Sequence, residues 1–373
     1  MIALLVGGAV RDQLLGLPVS DKDYVVIGSS PEQMIADGFL PVGKDFPVFI
    51  DPVTKSEYAL ARTERKVAAG YHGFAFQADP SVTIEQDLLR RDLTINAMAR
   101  APDASLIDPY GGQRDLHAKV LRHVSDAFAQ DPVRILRLSR FAARFSDFEV
   151  APETMVLMKQ MVSDGEVDAL VAQRVWQEMS RGLKEKQPSK MFAILSECGA
   201  LSKIAPQLNL SVQVLANVDH AALAGASLPI VFACLTRDAV DLDKLCQRLR
   251  VPNHAADLSL LMQRERGTFA QKNVWGPDSL VRLLERFDVF RRPERFTDAV
   301  QVLTLEDDVP HTRNVLEMWC MAHNAASSIA SGEIAAAVTM RAKQKNEQSD
   351  NLALQIKQAI FDARVEAVAM ALR

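Results

Sequence analysis

The chain has 373 residues, which is enough for two or three domains or for one elongated assembly of helical layers, and 48% of them are hydrophobic and 24% charged, an ordinary globular composition. Its formal net charge of -4 gives no overall sign of nucleic-acid binding, so a nucleic-acid surface has to come from local basic clusters. Four scattered cysteines without a Cys-x-x-Cys pair predict neither a zinc site nor a disulfide framework, and they favour a reducing cytoplasm. Apolar runs are too short for a membrane-spanning helix, so no membrane association is expected.

The N-terminal segment predicts a strand, a glycine turn and a helix. Ile2 to Val6 is a continuous apolar run that ends at Gly7-Gly8, and residues 9–15 have helical spacing. Glycines at such a turn let a phosphate approach the free N–H groups at the start of a helix, where Arg11 would project. A Gly-Gly pair on its own is more often an ordinary turn.

Asp21-Lys22-Asp23 places two carboxylates two positions apart. If residues 21–26 form a strand, both side chains point to the same side of the sheet. Paired carboxylates repel unless a cation lies between them, and oxygen ligands favour Mg²⁺ held together with substrate phosphates. The pair therefore predicts a metal–phosphate centre, with a solvated strand end as the alternative. Glu57, on a predicted neighbouring strand, could be a third metal ligand or an exposed strand residue.

Between the acidic pair and residue 112 the pattern alternates between helices and strands. Ser30 and Pro31 predict a helix start, and strands are expected at residues 48–50 and 57–61. Residues 62–76 are interpreted as a basic stem that leads into a mobile loop. Residues 88–97 are predicted to be helical, with Arg90 and Arg91 about 100° apart so that one can enter a site while Asp92 braces it.

After a turn at residues 107–112 the sequence is helical in pattern. Asp131-Pro132 is a strong helix start, in which Asp131 could be only the N-cap. The helix predicted over residues 133–145 carries four arginines on one stripe and no acids to match them: Arg134, Arg137, Arg140 and Arg144. This stripe favours contact with phosphate or a nucleobase over a merely solvated face. Apolar stripes at 191–198, closed by Gly199, and at 361–372 predict helix packing.

Five segments in this order resemble the successive motifs of the tRNA nucleotidyltransferases, or CCA-adding enzymes, of the bacterial and eukaryotic class. They are LVGGAVRD at residues 5–12, DKD at 21–23, YALARTERK at 58–66, RRDLTINA at 90–97 and DPVRILR at 131–137. The resemblance covers roughly residues 1 to 205 and implies an α+β fold. Its expected domains are a nucleotidyltransferase head with a small mixed sheet at 1–123, a helical neck that recognises the base at 124–206, and a helical, tRNA-binding body and tail at 207–373.

The resemblance also implies a role for each matching residue. Asp21 and Asp23 would be catalytic and hold Mg²⁺. The positions that would contact the nucleotide are Gly8, Arg11, Arg91, Arg137 and Arg140. Asp131 and Arg134 would correspond to the protein template that reads the incoming base. Their chemistry agrees, because C and A share an amine beside a ring-nitrogen acceptor, and a carboxylate next to an arginine can pair with both. G and U present an oxygen there, which Asp131 would repel.

The implied activity is addition of CCA to the 3′ end of tRNA from CTP and ATP, without a nucleic-acid template, with Mg²⁺ and release of pyrophosphate. The alternatives are an enzyme that adds only CC or only A, a poly(A) polymerase, and, from another class, a non-catalytic RNA-binding protein on the same fold. The expected partner is the tRNA acceptor end, with no obligatory protein partner, in the cytoplasm.

Two features depart from the family pattern. Gln130 stands where the family usually has an acidic residue before the template aspartate. The chain also lacks the His-Asp dipeptide of the phosphohydrolase domain that many relatives carry, although residues 246–252 still resemble those relatives. We therefore expect a short form without phosphohydrolase activity.

Overall fold

The computed structural model of the protein describes residues 1–19, 21–42, 48–66, 74–269, 275–306, 312–344 and 351–373. The chain divides into two compact units. Unit 1 consists of Met1–Pro206 with Gln247–Arg250, and unit 2 of Gln207–Cys246 with Val251–Arg373.

Unit 1 contains all the described strands. They are β1 (Ile2–Val6), β2 (Asp23–Ile27), β3 (Leu40–Val42), β4 (Val48–Ile50), β5 (Glu57–Leu60), β6 (Arg62–Lys66), β7 (Phe74–Ala78), β8 (Ala99–Arg100), β9 (Leu106–Ile107), β10 (Val120–Leu121) and β11 (Glu149–Val150). Seven of them form one sheet in the order β3-β4-β5-β2-β1-β8-β9. The sheet is mixed, because β2 and β5 run parallel whereas β1 and β2 run antiparallel.

The helices of unit 1 surround and follow this sheet. They are α1 (Gly8–Leu14), α2 (Pro31–Ala36), α3 (Ile84–Leu89), α4 (Gly112–His117), α5 (Val133–Arg144), α6 (Pro152–Ser163), α7 (Ala172–Gly182), α8 (Pro188–Glu197) and α9 (Ala200–Ile204). Short 3-10 turns lie at Thr94–Asn96, Asp126–Gln130 and Glu166–Ala169. The predicted α+β fold class, a small mixed sheet followed by helices, is confirmed.

Both faces of the central strands are covered by apolar side chains. Val25 belongs to one hydrophobic cluster with Leu4, and the next residue, Val26, belongs to another with Met34. Successive strand residues point to opposite faces, so the consecutive apolar residues Val25 and Val26 fill one cluster each. The resulting register places Val6 opposite Asp23, which brings the glycine turn after β1 beside the start of β2.

Helix α5 separates an apolar face from its arginine stripe. Ile135, Leu138 and Ala142 are buried, and α5 packs against α7 and α8. A helix anchored in this way presents its other side as a fixed row of side chains. Gly199 follows α8 with a φ of 82°, in agreement with the predicted helix end.

Two predicted elements near the site are wrong in part. Strand β2 begins at Asp23, so Asp21 lies outside it and the strand-alternation argument does not apply to the pair. Residues 88–97 do not form one helix, because α3 ends at Leu89. Beyond it Asp92 Oδ1 accepts hydrogen bonds from the Leu93 backbone N–H and the Asn96 amide, local bonds by which aspartate competes with helical structure.

The segment interpreted as a basic stem and a mobile loop is partly a β-hairpin. Strands β6 and β7 pair antiparallel, with Arg62 opposite Ala78 and Lys66 opposite Phe74. The prediction of a loop was therefore wrong for residues 74–76, and its remaining part, 67–73, lies outside the described residues. The short parallel pair of β10 and β11 was also not expected after residue 112.

The regular elements in the described part of unit 2 are all helices. Its helices are α10 (Val212–Leu223), α11 (Leu228–Leu235), α12 (Leu242–Leu249, whose last turn belongs to unit 1), α13 (Asn253–Phe269), α14 (Pro277–Arg286), α15 (Glu294–Glu306), α16 (Thr312–Ser327), α17 (Ser331–Gln344) and α18 (Leu352–Ala371). Helix α11 packs against α10, α13 and α15, and α18 against α14, α16 and α17. In the described part of the chain, every helix is too short or too polar to cross a membrane.

Candidate active site

One cavity of unit 1, of about 510 Å³, gathers most of the side chains that the sequence singled out. The predicted site residues in its wall are Gly8, Arg11, Asp23, Arg91, Asp131, Arg134, Arg137 and Arg140. The wall is completed by Gly7, Arg90, Asp92, Asn96, Phe141, Arg144 and Arg174. Asp21 is the one predicted site residue outside this wall; it is exposed, two positions before Asp23.

The glycine turn forms part of the cavity wall, and α1 starts there with Gly8. Gly7 has a φ of 70° and its N–H donates to the Met98 carbonyl. With a ψ of -133° this φ lies in a region that residues with a Cβ rarely adopt, at a cost of roughly 1–3 kcal/mol, and a Cβ on Gly7 would also lie 2.8 Å from Arg91 Nη1. A Cβ on Gly8 would meet only the end of the Arg11 side chain, at 3.3 Å. The two glycines are therefore constrained to different degrees.

This difference predicts unequal effects of two neighbouring substitutions. Gly7→Ala is expected to lower the free energy of unfolding by about 1–3 kcal/mol, because it combines backbone strain with a collision against Arg91. Gly8→Ala, at the first helical position, is expected to be much milder. Urea unfolding of both variants beside the wild type measures the difference, and equal destabilisation would contradict this description of the turn.

The acidic end of the cavity contains Asp23. Cavity walls that displace solvent raise the pKa of Asp23, the Asp21 charge raises it further, and Arg91 opposes both. Glu57 lies across from Asp23 in the parallel register of β2 and β5, with an exposed side chain. Among the described residues no group of three or more His, Cys, Asp or Glu side chains is arranged to hold a metal ion, and a role for Glu57 as a third ligand stays a prediction.

Three arginines of the α5 stripe have acidic partners, contrary to the sequence interpretation. Arg137 contacts Asp92 at 2.8 Å, and Arg144 contacts Asp12 at 3.0 Å. Arg140 Nε donates to Glu178 at 2.6 Å, and its Nη1 lies 3.6 Å from Glu185. The acids come from α1, α7 and the segments that follow α3 and α7, which helical spacing within α5 cannot reveal. The stripe therefore forms a charge-balanced wall.

Asp92 holds Arg137 of this wall in place through an ion pair. Burial alone would raise its pKa, but the Arg137 guanidinium and the bonds from Asn96 and Arg137 lower the pKa of Asp92 far below its ordinary value. The brace predicted for Arg90 and Arg91 is instead Asp87, whose fully buried carboxylate lies 2.6 Å from Arg90 and 3.3 Å from Arg91. Asp87 precedes Arg90 by three residues and Arg91 by four, and from this spacing the sequence could have identified Asp87 as their partner.

Arg11 is held more tightly than its predicted role suggests. It is 3% exposed, its guanidinium carbon lies 5.1 Å from the ring centroids of both Phe141 and Phe145, and Nη1 donates to Asn96 at 2.6 Å. Burial lowers the pKa of Arg11, and the adjacent Asp12 carboxylate opposes this effect. Arg11 thus joins α1 to α5, and contact with a triphosphate remains a prediction for it.

Asp131 and Arg134 also line the cavity. Asp131 caps the first turn of α5 by accepting from the Val133 N–H at 3.1 Å, so its predicted N-cap role is present. Arg134 donates to the carbonyls of Ala127 and Arg90, at 2.9 and 2.7 Å. Arg174 of α7, which sequence reasoning missed, contacts both carboxylate oxygens of Asp131. A single arginine on an amphipathic helix gives no signal by itself.

Comparison with known proteins decides the family. Residues 3–122 match the model of the poly A polymerase head domain, and residues 147–211 match a probable RNA- and SrmB-binding site of polymerase A. A "Multifunctional CCA protein" of Burkholderia mallei (strain SAVP1) is 50% identical over 412 aligned positions that cover 98% of both chains. A protein with the same description from Paraburkholderia phytofirmans is 56% identical over 79% of this chain and 83% of its own.

The chain belongs to the family of multifunctional CCA proteins. The Bacillus stearothermophilus CCA-adding enzyme in complex with CTP has the same fold, with a TM-score of 0.72 and 22% identity over 99% of this chain and 88% of that one. A tRNA-processing enzyme with CTP aligns with a TM-score of 0.65 and 25% identity over 84% and 87% of the two chains. The resemblance stated from the five motifs, and the enzyme class it implied, are confirmed.

Proposed function

We propose that this protein adds C, C and A to the 3′ end of tRNA, using CTP and ATP and releasing pyrophosphate. The observation that supports this most directly is the single cavity in which Asp23, the glycine turn and the Asp131–Arg134 pair share one wall, in a member of the CCA protein family. Such a cavity combines a carboxylate and a glycine turn suited to phosphate chemistry with a carboxylate–arginine pair suited to reading a base.

A divalent cation fits the acidic end. The charge of Asp21 is close enough to raise the pKa of Asp23, and a cation between two like charges would relieve that repulsion. Oxygen ligands and a bound triphosphate are the surroundings that Mg²⁺ prefers. We infer that these two aspartates hold Mg²⁺, which when bound would supply positive charge at the reacting phosphate.

The other groups position the nucleotide. The N–H groups at the start of α1, beside Gly8, would donate hydrogen bonds to triphosphate oxygens. The remaining negative charge of the triphosphate would face Arg91, Arg137 and Arg140. The tRNA 3′-hydroxyl would then attack the α-phosphorus as the bond to pyrophosphate breaks. Asp131 would accept from the amine of C or A while Arg134 donates to the adjacent ring nitrogen.

We also propose that the chain is divided into a head at residues 1–123, a neck at 124–206, and a body and tail at 207–373. The helical parts would bind the tRNA acceptor end through its backbone and shape rather than its sequence. The four cysteines are free, as expected of a protein that functions in a reducing cytoplasm.

The test is extension of a tRNA that ends at its discriminator base. Incubation of the wild-type protein with this tRNA, Mg²⁺, CTP and ATP is expected to give three added nucleotides and to release one pyrophosphate for each. The matched control is the same tRNA with a 3′-deoxy end, which lacks the attacking hydroxyl and should release none. Absence of any extension would overturn the proposal, and a long homopolymer of A would favour a poly(A) polymerase.

A further inference from the structure

The Asp131 carboxylate is surrounded on one side by donors of the protein. Arg174 Nη2 donates to Oδ2 at 2.9 Å and Nη1 donates to Oδ1 at 3.3 Å, in a two-pronged contact between guanidinium and carboxylate. Oδ1 also accepts the Val133 N–H at 3.1 Å. Arg174 lines the same cavity as Asp131, and the side chains of the pair are 28% and 21% exposed.

A carboxylate oxygen has two lone pairs, so these contacts leave the two oxygens of Asp131 with unequal capacity to accept further hydrogen bonds. Oδ1 accepts two described bonds and has no lone pair left, whereas Oδ2 accepts one and can accept another. The remaining acceptor direction on Oδ2 is fixed in space, because two parallel hydrogen bonds set the plane of the carboxylate.

We propose that Arg174 is a specificity-determining residue for nucleotide selection, which acts by fixing the plane of Asp131 and aiming the free lone pair of Oδ2 at the base. This inference rests on the proposed function, because it takes Asp131 to be the group that reads the base. The fixed carboxylate would accept a hydrogen bond from the amine of C or A, whereas the oxygen that U or G presents at that place offers no donor.

The two groups that would read the base are then held by different parts of unit 1. Arg134 is oriented by the carbonyls of Ala127 and Arg90, and Asp131 by α7. The residue before Asp131 is Gln130, so this position has no acidic side chain. The described hydrogen bonds show two backbone carbonyls orienting Arg134, and Arg174 orienting Asp131.

Lysine at position 174 would keep the positive charge but would not fix the plane of the Asp131 carboxylate. Its ammonium is a point charge that cannot make two parallel bonds to one carboxylate, so Asp131 would be free to rotate about its last torsion. We expect Arg174→Lys to lower the preference for CTP over UTP, and for ATP over GTP, by about 10- to 100-fold, the range for losing one charge-assisted hydrogen bond.

The experiment measures single-nucleotide addition by the wild type, Arg174→Lys and Arg174→Ala with each of the four nucleotides. The matched control is Arg181→Lys, an exposed arginine on the same helix that does not line the cavity. A loss of discrimination in both Arg174 variants, with a larger rise in KM for CTP and ATP than fall in kcat, supports the proposal, whereas a merely structural role would lower kcat for all nucleotides alike.

Two results would overturn the inference while leaving the proposed function intact. One is wild-type discrimination in Arg174→Lys, which would show that charge alone suffices. The other is unchanged discrimination in both variants while Asp131→Ala loses it. Failure of the wild type to extend tRNA would instead contradict the proposed function itself.

Discussion

Replacement of Asp23 by asparagine is expected to reduce nucleotidyl transfer by about a thousand-fold or more. The substitution removes a charged oxygen from the acidic end of the cavity, and the loss of metal-assisted charge stabilisation is worth several kcal/mol, with a tenfold loss of rate for each 1.4 kcal/mol or so. Single-turnover extension of tRNA at saturating CTP measures the effect. The shape of the side chain is preserved, so tRNA binding in a gel-shift assay should remain close to wild type.

Asp12 provides the comparison for this variant. Asp12 is also an aspartate of unit 1 near the cavity, but it is paired with Arg11 at 2.8 Å and Arg144 at 3.0 Å and does not line the wall. Asp12→Asn is expected to affect stability more than the chemical step. If Asp23→Asn transfers nucleotides at the wild-type rate, the metal–phosphate centre has been assigned to the wrong residues.

Replacement of Asp92 by asparagine is expected to lower the free energy of unfolding at neutral pH by about 2–3 kcal/mol. Breaking a buried ion pair costs about 3–5 kcal/mol, and here the cost is reduced because the remaining partner, Arg137, is partly open to the cavity. Arg137 would also lose its fixed position in the wall, so the KM for CTP and ATP should rise. Urea unfolding followed by circular dichroism, together with steady-state kinetics, measures both effects.

The pH dependence of the same variant gives a second check. The folded-state pKa of Asp92 lies below its ordinary value of 3.8, so the pair contributes its full stability above that value and loses it as the pH falls further. The difference between wild type and Asp92→Asn should therefore shrink below about pH 4.

Asp147 is a suitable control for Asp92, since it pairs with Lys119 at 2.6 Å on the surface of the same unit, where both side chains are more than half exposed. Asp147→Asn should cost less than about 1 kcal/mol. Equal losses for the two variants at neutral pH would contradict the importance assigned to burial.

Much of the site could be predicted from the sequence because its residues lie in short segments with strong local signals. The apolar run before Gly7-Gly8 requires a buried strand and a turn, and the arginine spacing after Asp131-Pro132 requires one helical face. These local periods do not depend on the rest of the fold. All the predicted site residues except Asp21 line one cavity.

The remaining features depend on partners that are distant in sequence. Asp92 binds Arg137 and Arg174 binds Asp131, across 45 and 43 positions respectively, and no local pattern reports such pairs. The predicted helix over residues 88–97 was wrong because a tertiary bond adds to the local hydrogen bonds of Asp92 that compete with the helix. Thr94 donates its N–H to the carbonyl of Arg122, and this tertiary bond is favoured over continuation of α3. Helical propensity is a weak prior where tertiary hydrogen bonds compete.

The order of nucleotide addition tests the central claim most directly. A tRNA that ends at its discriminator base is incubated with CTP alone, with ATP alone and with both, and the 3′ ends are sequenced. One cavity that delivers both nucleotides in order predicts CC with CTP alone, almost no extension with ATP alone, and CCA with both. Products that stop at CC when both nucleotides are present would contradict it, and so would a failure to add any C while A is added to a tRNA supplied with a CC end.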